Sequence, residues 1–237
     1  MTKEIRLCGV RIDSLTLDRA LKRALSKGKS PCIVFTPNAV MLDACRRSKE
    51  LADLLNRATL SLPDGAGVLS AAKRKGFPLR ERIPGIDFGE AVLCRAAKEN
   101  LRVFLLGGKD GVAQKAAKNL SQKYPALKIC GTHHGYFQKD GKENQEVLSR
   151  ITASKPDLLF VCLGFPEQEK WIVKNLPALP DLHLATGLGG SLDVWAGEVK
   201  RAPRHIQAMG LEWAWRMMRE PKRLKNLPAL IRFRLLS

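Results

Sequence analysis

Asp157-Leu158-Leu159-Phe160-Val161-Cys162-Leu163 runs directly into Gly164-Phe165-Pro166-Glu167-Gln168-Glu169-Lys170. The first seven residues are nearly all apolar, as in a strand covered on both faces. Pro166 suits the start of a helix, and Glu167 and Glu169 complement the positive end of its dipole. The same pattern recurs in both directions. Strand-like runs occupy 32–36, 58–62, 102–106, 127–131 and 182–186, with helical patterns between them, such as 111–123, 143–154 and 167–175. Near the N-terminus, Ser14 and Thr16 can cap a helix with Leu17, Ala20, Leu21, Ala24 and Leu25 at helical spacing, and Gly28 ends it. Short apolar strands alternating with helices of ten or more residues predict an α/β fold with a mostly parallel sheet and helices on both faces.

The 237 residues suffice for one large α/β domain or two small ones, and 45% hydrophobic with 27% charged residues is a globular balance. The charge is unusual: 41 Lys and Arg against 23 Asp and Glu give +18. Such a surplus predicts a polyanionic partner: nucleic acid, an anionic membrane or a phosphorylated substrate. Its placement narrows the choice. Residues 200–237 hold ten Lys or Arg against Glu212 and Glu220, and they include Trp213 and Trp215. Leu211, Ala214, Trp215 and Met218 share one helical face, with Glu212, Arg216 and Arg219 opposite. Pro221 ends that helix, and a second basic segment with Leu224, Leu227 and Ile231 follows, including Arg223. Residues 1–199 therefore read as an α/β body, and 200–237 as a basic amphipathic helical appendage suited to a membrane interface. The six cysteines form no C-x-x-C pair and read as small buried hydrophobes of a reducing compartment. Residues 1–11 lack the apolar core of a signal peptide, and no run of 18 apolar residues occurs. The expected location is the cytoplasm, peripherally on the inner face of the cell membrane.

In open, Rossmann-like parallel sheets, ligands bind beyond the carboxyl ends of the strands. Three strand-like runs exit into glycines: Gly107-Gly108-Lys109-Asp110-Gly111, then Gly164 with Pro166, and Gly187-Leu188-Gly189-Gly190-Ser191-Leu192-Asp193. Glycine lets the backbone approach a phosphate, and a helix N-terminus offers free N–H groups. One such exit reads equally as a plain turn; three on one sheet point to a diphosphate or nucleotide. Gln168, which the helix start does not require, has an amide suited to a sugar or uracil.

Asp64 lies in Leu62-Pro63-Asp64-Gly65-Ala66-Gly67 after a strand-like run. It reads either as a base accepting a hydroxyl proton or as the cap of the next helix. Asp87 in Ile83-Pro84-Gly85-Ile86-Asp87 carries the same ambiguity. No D-x-D triplet and no histidine pair at zinc-ligand spacing occurs, so neither a metal site nor a cofactor is expected. Arg82, Lys109, Arg201 and Arg204 are then the cations available to a leaving diphosphate, or else solvated surface charges. His133 and His134, sequential on a strand-like run, are expected to point to opposite faces.

Taken in order, these segments resemble the WecG/TagA/CpsF family, glycosyltransferase family 26. The matching pieces begin with Thr36-Pro37-Asn38, 63–67, 82–87 and Phe104-Leu105-Leu106-Gly107-Gly108. They continue through 164–169, 187–193, Gly197, Arg201-Ala202-Pro203, Leu211-Glu212-Trp213 and Glu220-Pro221, covering nearly the whole chain. The resemblance implies inverting transfer of N-acetylmannosamine from UDP to undecaprenyl-diphosphate-linked N-acetylglucosamine, giving a β-1,4 linkage. That reaction is an early step of the wall teichoic acid linkage unit. Enteric relatives use the uronic acid donor, so the donor sugar stays open. The implied base is Asp64, with Thr36, Asn38, Arg82 and Gln168 as further catalytic positions. Implied substrate-binding positions are Gly65, Asp87, Gly107, Gly108, Lys109, Gly164, Pro166, Glu169, Gly187, Gly189, Gly190, Asp193, Arg201 and Arg204. Trp213, Trp215, Arg216, Arg219 and Arg223 are expected at the membrane.

Two other classes predict features that are missing. A dinucleotide oxidoreductase needs G-x-G-x-x-G after its first strand, whereas 32–36 is followed by Pro37-Asn38. A nucleic-acid-binding protein needs basic residues interleaved with aromatics, or a recognisable module. No nucleic acid partner is expected, and a homo-oligomer is left open.

Overall fold

The computed structural model describes residues 5–26, 28 and 30–236, with Lys222 as backbone alone. Six strands form one parallel sheet in the order β4-β3-β8-β7-β5-β6. They are β3 (Cys32–Phe35), β4 (Leu60–Ser61), β5 (Arg102–Gly107), β6 (Lys128–His133), β7 (Leu158–Cys162) and β8 (Leu184–Gly187). Alternate residues along each strand feed two cores. Val103, Leu105, Leu158 and Phe160 enter one, which is closed by α1 (Leu17–Leu25), α5 (Gly85–Glu99), α6 (Val112–Lys123) and α9 (Ser191–Trp195). Phe104, Leu106, Leu159 and Val161 enter the other. That second core is closed by α2 (Ala39–Arg47), α3 (Lys49–Leu55), α4 (Ala66–Arg74), α7 (Gly141–Ser154) and α8 (Glu167–Asn175). The expected α/β architecture is therefore the observed one.

Local differences have local causes. Ser14 does not cap α1: Thr16 accepts from the Arg19 N–H, while Ser14 Oγ accepts from the Arg80 N–H. The helix stops at Leu25, before Gly28. Strand 58–62 shrinks to two residues, β4, although the Thr59 and Leu62 N–H groups on either side still donate to the Ile33 and Phe35 carbonyls of β3. His133 and His134 are not on opposite faces; β6 ends at His133, and the two rings lie 4.5 Å apart. Cys32, Cys45 and Cys162 are buried, but Cys8, Cys94 and Cys130 are only half-buried.

The first residues described also form structure that the strand pattern left unread. β1 (Ile5–Leu7) and β2 (Val10–Ile12) make an antiparallel hairpin whose turn, Cys8-Gly9, has φ of 52° and 80°. Positive φ at both turn residues matches the twist of a two-residue hairpin. Ile5, Leu7, Val10 and Ile12 face inward, and Asn56 braces the turn through the Arg11 N–H and the Gly9 carbonyl.

Residues 200–236 pack on the body. They form α10 (Arg204–Ala208), α11 (Glu212–Arg219), a 3-10 turn (Pro221–Asn226) and α12 (Leu227–Leu236). Helix α12 lies against α2 and α4, with Phe233 1% exposed in the second core. A charge network fixes it there. The Asp43 carboxylate on α2 is fully buried and meets Arg46 and Arg47 of its own helix and Arg232 of α12, the last at 2.7 Å. Burial disfavours the charge of Asp43, but the bonds from Arg232 and Arg46 outweigh it and hold its pKa below the usual value. Helix α11 keeps part of its expected apolar face outward and turns its polar side in. Met217 is buried while Leu211 and Met218 are exposed, and the side bearing Glu212 and Arg216 turns toward the body. A single-helix pattern cannot register that the polar side has charged partners waiting for it.

Replacing Phe233 with Ala should cost about 3–5 kcal/mol in urea unfolding, the usual loss for a buried phenyl ring. A cost below about 1 kcal/mol would mean that α12 is not part of the core.

Candidate active site

Every strand of the sheet points its carboxyl end at one edge, and the expected site residues lie along it. The crossover from β5 leads outward to β6, while that from β7 leads back to β8, so the chain parts between β5 and β7. Ligands sit at such a parting. Gly107 closes it: a Cβ there would stand 2.3 Å from the Cys162 carbonyl oxygen. Gly108 and Gly111 follow with positive φ, and α6 begins at Val112. Lys109 is exposed in this loop. At the β7 exit, Gly164 has φ +82° and Pro166 precedes the first residue of α8.

Asp64 stands at the β4 exit, at the other end of this edge. It does not cap the helix that follows: α4 has Gly65, at φ +99°, in the cap position and no side-chain cap bond. Asp64 instead takes the Gly85 N–H, the first of α5, at 3.4 Å. Its own N–H donates to the Pro37 carbonyl at 3.1 Å, and the Ile83 N–H donates to the Pro63 carbonyl at 2.9 Å. Thr36, 8% exposed, presses its Oγ1 to within 2.8 Å of where a Cβ on Gly85 would be. Asn38 caps α2 by accepting from the Val40 and Met41 N–H groups. The ends of β3 and β4 and the start of α5 thus bring Thr36, Asn38, Asp64 and Gly85 together. Burial, the largest influence, pushes the Asp64 pKa up to about 6. The Gly85 bond, Arg216 and Arg82 pull it down, and Glu212 pushes it further up.

The β8 exit lies between these two regions. Gln168, 5% exposed, accepts from the Gly189 N–H at 2.8 Å and donates to Glu169 Oε1 at 2.8 Å. Both ends of the amide expected to face a substrate are thus engaged within the protein. Gly187 has no room for a side chain, because its Cβ would meet the Gln168 amide at 2.9 Å. Glu169 is fully buried rather than displayed toward a ligand. Gly190 and Asp193 open α9, with Arg223 close by; burial chiefly raises the pKa of Asp193, Glu220 adds to this, and Arg223 opposes it.

Residues 200–236 roof this edge. A Cβ on Gly210 would touch Ala66 Cβ at 2.8 Å, and Phe233 lies 3.9 Å from the corresponding point on Gly67. Arg201 donates two hydrogen bonds, one to each carboxylate oxygen of Asp87 on α5, and reaches Glu212 on α11 at 3.3 Å. Two carboxylates therefore occupy the guanidinium expected to face a diphosphate, and Asp87 is spoken for in the same clamp. Arg204 is exposed at the start of α10. Arg219 lies over the half-buried Trp215 ring at 4.9 Å, and Trp213 is exposed. Arg216, expected at the membrane, instead lies where its charge lowers the pKa of Asp64. Only the packing of residues 201–236 over α4 and the start of α5 reveals that.

Among the described residues, no three His, Cys, Asp or Glu side chains gather as metal ligands. No helix among them is long and apolar enough to cross a membrane.

Comparison with known proteins agrees with this arrangement. The family model described as "Glycosyl transferase WecG/TagA/CpsF family" matches residues 5–236. Staphylococcus aureus strains MW2 and MRSA252 each carry an N-acetylglucosaminyldiphosphoundecaprenol N-acetyl-beta-D-mannosaminyltransferase that is 32% identical to this chain. Each alignment spans 233 residues, 97% of this chain and 90% of the relative. With the whole length matched and the glycine-rich exits, Asp64 and the basic roof all on one sheet edge, the chain belongs to the WecG/TagA/CpsF glycosyltransferase family.

Proposed function

We propose that this enzyme transfers N-acetylmannosamine from UDP-N-acetylmannosamine to undecaprenyl-diphosphate-linked N-acetylglucosamine, inverting the anomeric centre to a β-1,4 linkage. The names of the staphylococcal relatives support the sugar and the acceptor. The observation that carries the chemistry is Asp64: a strand-end carboxylate that does not cap the helix following it, holds only one long bond from the start of α5, and has a pKa raised to about 6 by burial. A base poised near the working pH takes a proton efficiently without being permanently protonated. Asp64 removes the proton from the acceptor hydroxyl. That oxygen forms its bond to the anomeric carbon as the bond to UDP breaks on the opposite face, and the electron pair leaves with the diphosphate.

The sheet sets the spacing. Two strand intervals separate the β4 and β8 exits, about 10 Å, and four separate β4 from β5, about 19 Å. The 187–190 loop thus suits the diphosphate of a donor whose sugar reaches Asp64. With no metal in the proposal, the departing charge falls to the helix starts, Arg82, Arg216 and Arg223. Residues 200–237 serve as a membrane-facing cover for the 1–199 catalytic body. Of the ten large hydrophobic side chains exposed among the described residues, nine lie between 209 and 236. With the surrounding Lys and Arg they make a surface suited to an anionic leaflet, which brings the site to a lipid-borne acceptor.

Asp64→Asn should lower turnover by about 10²–10⁴-fold, the usual share of a general base, while UDP affinity stays within a few-fold. The melting temperature should hold or rise, since the buried charge is gone. In the native enzyme, kcat/KM should climb with pH and level off above about 6, because the base works only when ionised. Near-native turnover by Asp64→Asn would remove the base assignment.

A second test concerns the surface. Trp213→Glu, Met218→Glu and Ile231→Glu together alter exposed side chains only. This variant should lose sedimentation with phosphatidylglycerol vesicles, and native binding should weaken with salt over a screening length of about 8 Å. Equal binding by variant and native protein would rule out this face as the membrane contact.

A further inference from the structure

Glu169 is fully buried, and one of its oxygens, Oε2, has no hydrogen-bonding partner. Burying a carboxyl is costly, and complementing a helix dipole does not require it. Glu167, two residues earlier, does that from an exposed site. The other oxygen of Glu169 accepts from Gln168 Nε2, and Gln168 Oε1 accepts from the Gly189 N–H, both at 2.8 Å.

This relay has only one direction. A backbone N–H can only donate, so the amide oxygen of Gln168 must face Gly189 and the amide nitrogen must face away. That nitrogen is buried and requires an acceptor, which Glu169 supplies. The amide packs against Gly187, where a Cβ would stand 2.9 Å from its nitrogen, so the β8 exit can pass this close to it only as glycine. Gly189 itself is at φ +52°, in the turn that leads to Gly190 and Arg223.

We propose that Glu169 is a positioning residue: by accepting from Gln168 it fixes the side-chain amide that holds the 187–190 loop in its diphosphate-binding shape. The proposal rests on the reading of that loop as the diphosphate site. Burial, opposed by the bond from Gln168, also pushes the Glu169 pKa up to about 7, and its accepting oxygen serves whether the other is protonated or not.

The test measures UDP affinity by calorimetry and donor kinetics with a soluble acceptor for the native enzyme, E169M and E169Q. E169M removes the acceptor at similar size and should weaken UDP binding about tenfold, the effect of one buried hydrogen bond, with the loss falling on donor KM more than on kcat. E169Q keeps an acceptor oxygen and should recover most of that affinity. In a Q168L background, where the relay is already cut, E169M should add no further loss of UDP affinity. Native UDP affinity in E169M, or equal losses in E169M and E169Q, would overturn the proposal. UDP failing to bind the native enzyme would instead defeat the reading of the loop. Should E169M not fold, the native protein still decides: its Gln168 side-chain NH2 should exchange slowly with solvent by NMR, and rapid exchange would overturn the relay.

Discussion

The start of α5 is wedged between the ends of β3 and β4, and the site depends on that fit. Gly85 has no space for a Cβ beside Thr36, so its N–H can point at Asp64 while Ile83 and Pro63 bond to each other behind it. At 3.4 Å the Gly85 bond is long, and it leaves the carboxylate only partly stabilised. A short bond with several donors would have lowered its pKa and made it a poor base. The geometry gives enough to orient Asp64 without neutralising its basicity.

The basic C-terminal segment then completes the edge through two charge clamps of different kinds. Arg201 ties Asp87 on α5 to Glu212 on α11, so the roof is registered to the helix that positions Asp64. Arg232 ties α12 to the buried Asp43 on α2. Both clamps commit arginines to carboxylates of the same chain. The surplus of positive charge is therefore not one undivided patch: some of it builds the roof, while Arg216 and Arg223 act on Asp64 and Asp193 from within.

Strand and helix order was legible because nearly continuous apolar runs such as 158–162 are buried on both faces and tolerate few polar interruptions. The N-terminal hairpin was not legible: Ile5, Leu7, Val10 and Ile12 alternate with Arg6 and Arg11 around Cys8-Gly9, but three-residue strands fall below the length at which alternation stands out from chance. The glycine-rich exits marked the sheet edge along which Asp64 and the basic roof lie. What spacing could not say is which polar groups are consumed by the protein. Gln168, Asp87 and Arg201 carry the residue types of ligand contacts, yet each is satisfied by a partner between 1 and 114 positions distant in the chain. Arg216 shows the reverse, a residue of surface type turned inward by the docking of its helix.

The two carboxylates beneath the roof have opposite relations to stability. Asp43 is held below its usual pKa, so it contributes stability above that value, and the contribution is lost as pH falls through its folded pKa. Asp64 is raised from 3.8 to about 6, so the folded state binds its proton more tightly than the unfolded chain does. Its effect is the reverse: stability is fullest below the usual carboxyl value and is lost as pH rises through about 6. The loss is roughly 2 kcal/mol, allowing for the part of the carboxylate that water reaches. Near neutral pH the network around Asp43 thus supports the fold at the pH where ionised Asp64 strains it. The segment that supplies Arg232 to the first carboxylate also supplies Arg216 to the second. A roof secured by one carboxylate can in this way keep the other buried enough to remain basic.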